Sequence, residues 1–179
     1  CESLQEINFK NFKTNNVRSM SKMFSGCISL TSLDISNFFT NKVTDFSDMF
    51  KECRLVKELN IEKLHTSSTI YMNNFFSKCS SLNSLNVLTF ATSNVVDMSG
   101  IFEGCSNLQE IEIKNFKTKK VEKMDNMFAG CKSLSSIDLT ALNTENVISM
   151  NGLFSDDILL KEINLDNFDT KNVEDMGYM

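Results

Sequence analysis

The chain has 179 residues, carries a net charge of −5 and contains neither proline nor tryptophan. The negative charge argues against a nucleic-acid-binding surface, because such surfaces concentrate lysine and arginine. No apolar run reaches the roughly 18 residues that a transmembrane helix needs. The composition is uniform from end to end, so we expect a single domain over residues 1–179.

Cysteine recurs every 26 residues without an insertion or a deletion, and this spacing divides the chain into seven copies of one unit. A fixed period of this length is the sequence signature of stacked structural repeats. Positions within a repeat are numbered from its cysteine. Position 1 is occupied, in order, by Cys1, Cys27, Cys53, Cys79, Cys105, Cys131 and, in the seventh repeat, Asp157.

The hydrophobic period changes along each repeat. Positions 7 and 9 are apolar and alternate with polar positions 6, 8 and 10, which predicts a strand, for example over residues 32–36 and 110–114. Threonine, asparagine and serine cluster at positions 11–16, which predicts a turn. Positions 20, 23 and 24 have the i, i+3, i+4 spacing of a helical face. We therefore expect one or two helical turns there, closed at position 26 by a left-handed residue such as Gly104.

A single repeat of this kind cannot bury its apolar side chains alone, so neighbouring repeats must stack on it. The sequence therefore predicts an α/β repeat fold, a solenoid of about seven 26-residue coils. We expect a parallel sheet on one face of the solenoid and short helical turns on the other.

The repeat follows the pattern C-x-x-L-x-x-L-x-[IVL]-x-N-F-x-T-x-x-V-x-x-M-x-x-M-F-x-G. It is clearest in residues 115–131 (NFKTKKVEKMDNMFAGC) and 11–27 (NFKTNNVRSMSKMFSGC). This unit resembles the BspA-like leucine-rich repeats of bacterial and protist surface proteins, and the resemblance covers all 179 residues. It implies a right-handed leucine-rich-repeat solenoid, exposed extracellularly or on a cell surface, that binds host proteins, matrix proteins or neighbouring cells.

The third repeat departs most from this pattern. Leu64 replaces the usual phenylalanine and Thr69 replaces the usual valine, while Ile70 and Tyr71 stand where polar residues are usual. A looser coil and an intermolecular contact are two explanations that the sequence leaves open.

The cysteines lie among apolar positions, where a buried thiol behaves as a small hydrophobe, and we expect Cys27, Cys53, Cys79 and Cys105 to be buried free thiols. Zinc sites place at least one pair of cysteines two to four residues apart, far less than 26. Stacked cysteines would have parallel Cα–Cβ vectors, which suit a disulfide poorly. We expect the loop at Asp157 to be open to water. For Cys1, lipidation as the first residue of a mature lipoprotein is an alternative to its place in the repeat.

No catalytic, metal or cofactor site is expected. His65 is the only histidine, and no Ser-His-Asp or Cys-His pairing lies within reach of a motif. Threonine fills position 14 of every repeat, from Thr14 to Thr170. Because a hydroxyl in a tight turn usually bonds to nearby backbone groups, we interpret this column as a structural ladder.

Positions 6, 8 and 10 should point away from the core and form what we call the strand face. Positions 6 and 8 together contain seven acids and no base. A charged face that only keeps the protein soluble is one explanation, and an acidic surface for a basic or polar partner is the other. Phe39, His65 and Ala91 align at position 13 with Leu88 nearby, and clustered exposed apolar groups mark contact sites. The candidate partner-binding residues are Phe39, His65, Leu88, Ala91, Glu58, Asn60, Asn86, Glu110 and Glu112.

These features predict a non-catalytic protein-binding or adhesion module that contacts its ligand through the strand face. The alternative is a structural component of a larger assembly, packed through its ends and flanks. Neither end carries the polar cap that solenoids need for solubility, so we expect either a segment of a longer protein or self-association through the ends. The abundance of lysine, asparagine, isoleucine and phenylalanine favours an AT-rich bacterial or protist source.

Overall fold

A computed structural model describes residues 1–179 and shows a stack of coils in strict register. Six isolated parallel bridges join position 19 of each repeat to position 19 of the next. The bridged residues are Ser19, Asp45, Tyr71, Asp97, Lys123, Ser149 and Asp175. The 26-residue period of the sequence is therefore the period of the coil. The chain contains no helix and no continuous strand, so these bridges are its only regular sheet-type pairing.

Positions 18–26 form the ladder that holds the coils together. The amides at positions 20, 22, 24 and 26 donate to carbonyls one position earlier in the next repeat: Met20 N lies 2.9 Å from Asp45 O, and Gly26 N lies 2.8 Å from Lys51 O. Amides at positions 23 and 25, and the amide of the cysteine that begins the next repeat, instead donate to the carbonyl three residues earlier in the chain. Each coil thus satisfies its backbone groups partly in its own turns and partly in its neighbour.

The helical turns predicted for these positions are wrong. Consecutive β-turns occupy the segment, with left-handed φ angles at positions 22 and 26, such as +60° at Gly100 and +68° at Gly104. A positive φ at the third residue is what a type II turn requires. The left-handed residue predicted at position 26 is present, but it closes a β-turn. A series of β-turns and a helix both direct the side chains at i, i+3 and i+4 toward the core, so the apolar pattern did not distinguish the two structures.

The parallel sheet predicted over positions 6–10 is also absent. Burial alternates there as expected, with Leu33 and Ile35 buried between exposed neighbours. No backbone hydrogen bond joins positions 6–10 of adjacent repeats, however. In most repeats the amide at position 10 donates to the side chain at position 8, as Ser36 N does to Asp34 Oδ1 at 2.9 Å. This local Asx turn competes with sheet pairing.

One continuous core of 46 buried residues lies between these two segments. The phenylalanines at position 24 stack along it, with successive ring centroids 5.7, 5.8, 6.0, 5.6 and 5.8 Å apart. Side chains from the strand segment meet this stack from the other side, as Phe9 meets Phe24 at 5.8 Å. Stacked rings at these distances add attraction beyond the area that they bury.

Candidate protein-interaction surface

The threonine ladder fixes the backbone beside the strand face. In the first six repeats the position-14 hydroxyl accepts from the amide, and donates to the carbonyl, of position 13 in the next repeat. For Thr40 and His65 these distances are 2.7 and 3.0 Å, and Thr14 and Thr66 hold Phe39 and Ala91 in the same way. The predicted structural ladder is confirmed, and it joins successive coils.

Phe39, His65 and Ala91 therefore form an ordered exposed row. All three side chains lie at the surface, and Phe39 is 58% exposed. Their backbones are held by buried threonines, so the row is rigid and carries its side chains outward. Rigid presentation lowers the entropy lost when a partner binds.

The remaining candidate residues line two shallow grooves between coils. Leu88 lies with Asn86, Glu110 and Glu112 in a groove of about 260 Å³. Glu58 and Asn60 lie in a second groove of about 240 Å³, which Asn86 also lines. The structure thus brings Leu88 together with the acids, whereas Phe39, His65 and Ala91 line neither groove. These grooves open between adjacent coils at the positions that lack backbone pairing.

Hydrogen bonds give the two candidate asparagines a local role. Asn86 Oδ1 accepts from the Leu88 amide at 3.1 Å, and its Nδ2 donates to Glu62 Oε1 at 3.1 Å. Asn60 Oδ1 accepts from the amide of Glu62 at 3.3 Å. Both side chains therefore shape the groove walls. The sequence signal for this role was asparagine or aspartate recurring two residues before position 10.

The face retains negative charge at neutral pH. The backbone amide of Ser36 lowers the pKa of Asp34, and the hydroxyl and amide of Thr140 lower that of Asp138. Glu112 pairs with Lys114 at 3.0 Å, but both side chains are largely solvated. Such an exposed pair contributes little to stability and can exchange with a charge on a partner.

Comparison with known proteins places the repeats in a family. A family model described as "Mycoplasma protein of unknown function, DUF285" matches residues 1–85 and 97–179. The chain belongs to the DUF285 family. No curated protein matches it.

Two solved structures are similar to this DUF285 chain. A leucine-rich repeat protein from Eubacterium ventriosum is 21% identical, with a TM-score of 0.57 over 93% of this chain and 41% of that one. A leucine-rich repeat protein of T. pallidum is 20% identical, with a TM-score of 0.45 over 80% of this chain and 71% of that one. The predicted BspA-like leucine-rich-repeat resemblance is confirmed, and the first structure supports the fold. This chain spans 41% of that protein's length.

Cys27, Cys53, Cys79 and Cys105 of the DUF285 repeats are buried free thiols, as the sequence predicts; Cys131 is buried as well, while Cys1 is exposed. Each thiol from Cys53 onward donates to the carbonyl of a position-24 phenylalanine, as Cys79 Sγ does to Phe50 O at 3.1 Å. Burial raises the pKa of the Cys53 thiol to about 12. Burial also raises the pKa of Cys79, Cys105 and Cys131, so the thiols from Cys53 to Cys131 are protonated and unreactive at neutral pH. The chain also contains no helix that could span a bilayer.

Asp157 replaces this cysteine in the seventh repeat. The loop around it is open to water as expected, with Asp156, Ile158 and Leu159 exposed, but the carboxylate of Asp157 itself is not. Both carboxylate oxygens are buried and have no hydrogen-bond partner. The nearest amides, those of Gly130 and Cys131, donate to the carbonyls of Ser155 and Phe128 instead. Burial raises the pKa of Asp157 to about 7; the nearby amides of Cys131 and Gly130 offset part of the rise, and the charge of Asp156 adds to it.

Replacing Asp157 with asparagine should raise the stability of the DUF285 chain at alkaline pH. The pKa of Asp157 is higher in the folded than in the unfolded protein. The protein therefore has its full stability below about pH 4 and loses part of that stability as the pH rises through about 7. We expect Asp157→Asn to gain about 1–2 kcal/mol over the wild type at pH 8, after allowance for partial exposure. Urea denaturation at pH 4 and pH 8 measures this difference. A gain that is equal at both pH values would contradict the prediction.

Proposed function

We propose that this chain is a non-catalytic protein-binding module whose strand face contacts a basic or polar protein partner. The observation that carries the proposal is the groove in which Leu88 lies against Glu110 and Glu112. An apolar anchor among acidic side chains combines the two features of interfaces: desolvated contact and charge complementarity. Phe39, His65 and Ala91 add a rigid exposed row beside it.

The leucine-rich-repeat fold supports this proposal, because repeat stacks present extended surfaces that proteins use for binding. The leucine-rich repeat protein from Eubacterium ventriosum has the same fold at 21% identity, which supports the architecture. We propose that residues 1–179 act as one domain, and that the module works at a cell or particle surface as an adhesin. Neither a cofactor nor a nucleic acid is part of this proposal.

Charge reversal on the strand face should slow association without unfolding the protein. Glu58, Glu110 and Glu112 are exposed, so changing all three to lysine removes electrostatic steering at little cost in stability. Against a panel of basic matrix and cell-surface proteins, we expect wild-type binding that weakens with salt. The triple variant should show an association rate lower by about tenfold or more. Surface plasmon resonance at two salt concentrations measures both effects.

Replacing Phe39 and Leu88 with serine is the matched test of the apolar contacts. These side chains act in the bound state, so the double variant should mainly speed dissociation and keep the wild-type association rate. The protection of the Cys79 thiol in the native protein serves as the control for folding. If a partner's affinity survives both sets of changes, the strand face is not its binding site.

The second candidate function is that of a structural component packed through its ends. The last coil exposes Met176 and Tyr178, the latter by 85%, and the first coil exposes Phe12. Exposed apolar side chains on these two coils suit end-to-end packing of copies of the chain. Sedimentation of the wild type and of a Phe12→Ser, Tyr178→Ser variant tests this. Concentration-dependent growth that the variant abolishes would favour assembly over ligand binding.

A further inference from the structure

Positions 18 and 19 of repeats two to four form an apolar patch bounded by carboxylates. We call this surface the tyrosine flank; it comprises Asp45, Ile70, Tyr71, Val96 and Asp97. Ile70 is 36% exposed, Tyr71 is 48% exposed and Val96 is half-buried. The Val96 amide donates to Ile70 O at 2.9 Å, so the two aliphatic side chains occupy neighbouring coils.

The backbone register places a carboxylate on each side of the aromatic ring. Tyr71 forms parallel bridges with both Asp45 and Asp97. Equivalent positions of stacked parallel segments project their side chains in the same direction. The ring of Tyr71 therefore stands between two acids along the axis of the solenoid.

These groups have binding capacity that the chain itself does not use. The Tyr71 hydroxyl makes no hydrogen bond within the chain, and neither aspartate forms an ion pair. Asp45 accepts from the Ser47 amide at 2.9 Å and from the Ser19 hydroxyl at 3.3 Å, and Asp97 accepts from the Ser99 amide at 2.9 Å. Each carboxylate thus keeps unused acceptor capacity, although Lys123 is the next residue of the bridge ladder beyond Asp97.

The third repeat departs at this site from the pattern of the other repeats, and the departure lowers the stability of the fold. Position 17 is valine in the other six repeats and Thr69 in this one. Thr69 is fully buried and its hydroxyl has no hydrogen-bond partner. A buried unsatisfied hydroxyl is destabilising. A local rule broken without a structural gain is typical of functional sites.

Another exposed aliphatic side chain shows what an ordinary position 18 looks like. Ile148 in the sixth repeat is 38% exposed, close to the value for Ile70. In the sequence it follows Val147, the usual residue at position 17, and precedes Ser149 at position 19, where the third repeat has Tyr71. Ile148 borders a shallow groove with Val96, two coils away, but it has no aromatic ring beside it, so it serves as a control for an exposed aliphatic side chain alone.

We propose that the tyrosine flank binds an arginine-bearing segment of a partner protein. The guanidinium stacks on the ring of Tyr71 and donates to Asp45 and Asp97, while an adjacent aliphatic side chain covers Ile70 and Val96. Arginine fits better than lysine because its planar fork stacks on aromatic rings and pairs with carboxylates. The site is distinct from the strand face, because position 19 lies in the hydrogen-bonded ladder on the other side of the core.

A short peptide can test this chemistry directly. The probe is the capped tetrapeptide Ile-Arg-Ile-Gly, compared with versions that carry lysine or the neutral isostere citrulline in place of arginine. The chain has two tyrosines, so a Tyr178→Phe background leaves Tyr71 as the sole tyrosine reporter. We expect a saturable change in Tyr71 fluorescence with the arginine peptide. Binding should be about tenfold weaker with lysine and lost with citrulline. Equal binding of all three peptides, or none at millimolar concentration, would overturn the proposal.

Variants then locate the site by nuclear magnetic resonance titration. Ile70→Thr with Tyr71→Asp gives the third repeat the residues that Thr44 and Asp45 supply in the second, and it should abolish peptide binding. Ile148→Thr is the matched control and should bind as the wild type does, as should the triple lysine variant of the strand face. Unchanged binding by the Ile70→Thr, Tyr71→Asp variant would refute the assignment. A dimer that this variant dissolves would also overturn it, because the flank would then serve a second copy of the chain.

Discussion

Replacing Phe102 with alanine should lower the free energy of unfolding by about 3–5 kcal/mol. Phe102 is completely buried in the middle of the position-24 stack, with ring centroids 6.0 Å from Phe76 and 5.6 Å from Phe128. The cavity cannot collapse easily, because backbone hydrogen bonds hold the coils on both sides, including Phe102 N to Met127 O at 3.0 Å. Urea denaturation followed by far-ultraviolet circular dichroism measures the loss.

Phe39→Ala is the matched control, because this phenylalanine is 58% exposed. Its removal should change stability by no more than about 0.5 kcal/mol. A loss for Phe102→Ala as small as that of the control would mean that the phenylalanine stack does not hold the coils together. The thiols of Cys79 and Cys105, which line the same core, should become reactive at lower urea concentration in the Phe102 variant only.

Replacing Thr92 with valine should destabilise the protein by about 2–4 kcal/mol, although the two side chains have nearly the same shape. The Thr92 hydroxyl accepts from the Lys117 amide at 2.7 Å and donates to the carbonyl of the same residue at 3.2 Å. Thr92 is fully buried, so valine would leave both backbone groups without a partner. The loss is expected to exceed that of an ordinary hydrogen bond for this reason. Thermal and urea denaturation measure it.

Two other threonines make this test specific to the hydroxyl. Thr89 is exposed and makes no hydrogen bond, so Thr89→Val should alter stability by less than about 0.5 kcal/mol. Thr69 is buried without a partner, so Thr69→Val should stabilise the protein by about 1 kcal/mol. The same substitution is therefore expected to have three different effects at three positions. Equal effects at Thr92 and Thr69 would contradict the account of the ladder.

Much of this architecture could be predicted from the sequence because it depends on side-chain type repeated at a fixed interval. The 26-residue cysteine period determines the register, since partners in the ladder are 26 residues apart. Apolar columns identify the core, and their recurrence alone predicts burial of Phe102 or Cys105. Position 14 was recognisable as structural, because threonine recurs there and a hydroxyl in a turn seeks backbone partners.

The tertiary structure alone decided which backbone groups pair. Positions 20–24 could be a helix or a series of β-turns, because both direct the same side chains inward. Contact with the next coil selects the turns, because their amides can donate to the carbonyls of that coil. Positions 6–10 have the alternation of a strand, but the Asx side chain at position 8 takes the amide that a sheet would need. Asp157 shows the same limit: its burial depends on the coil that packs beside it, and no property of aspartate by itself predicts a carboxylate without partners.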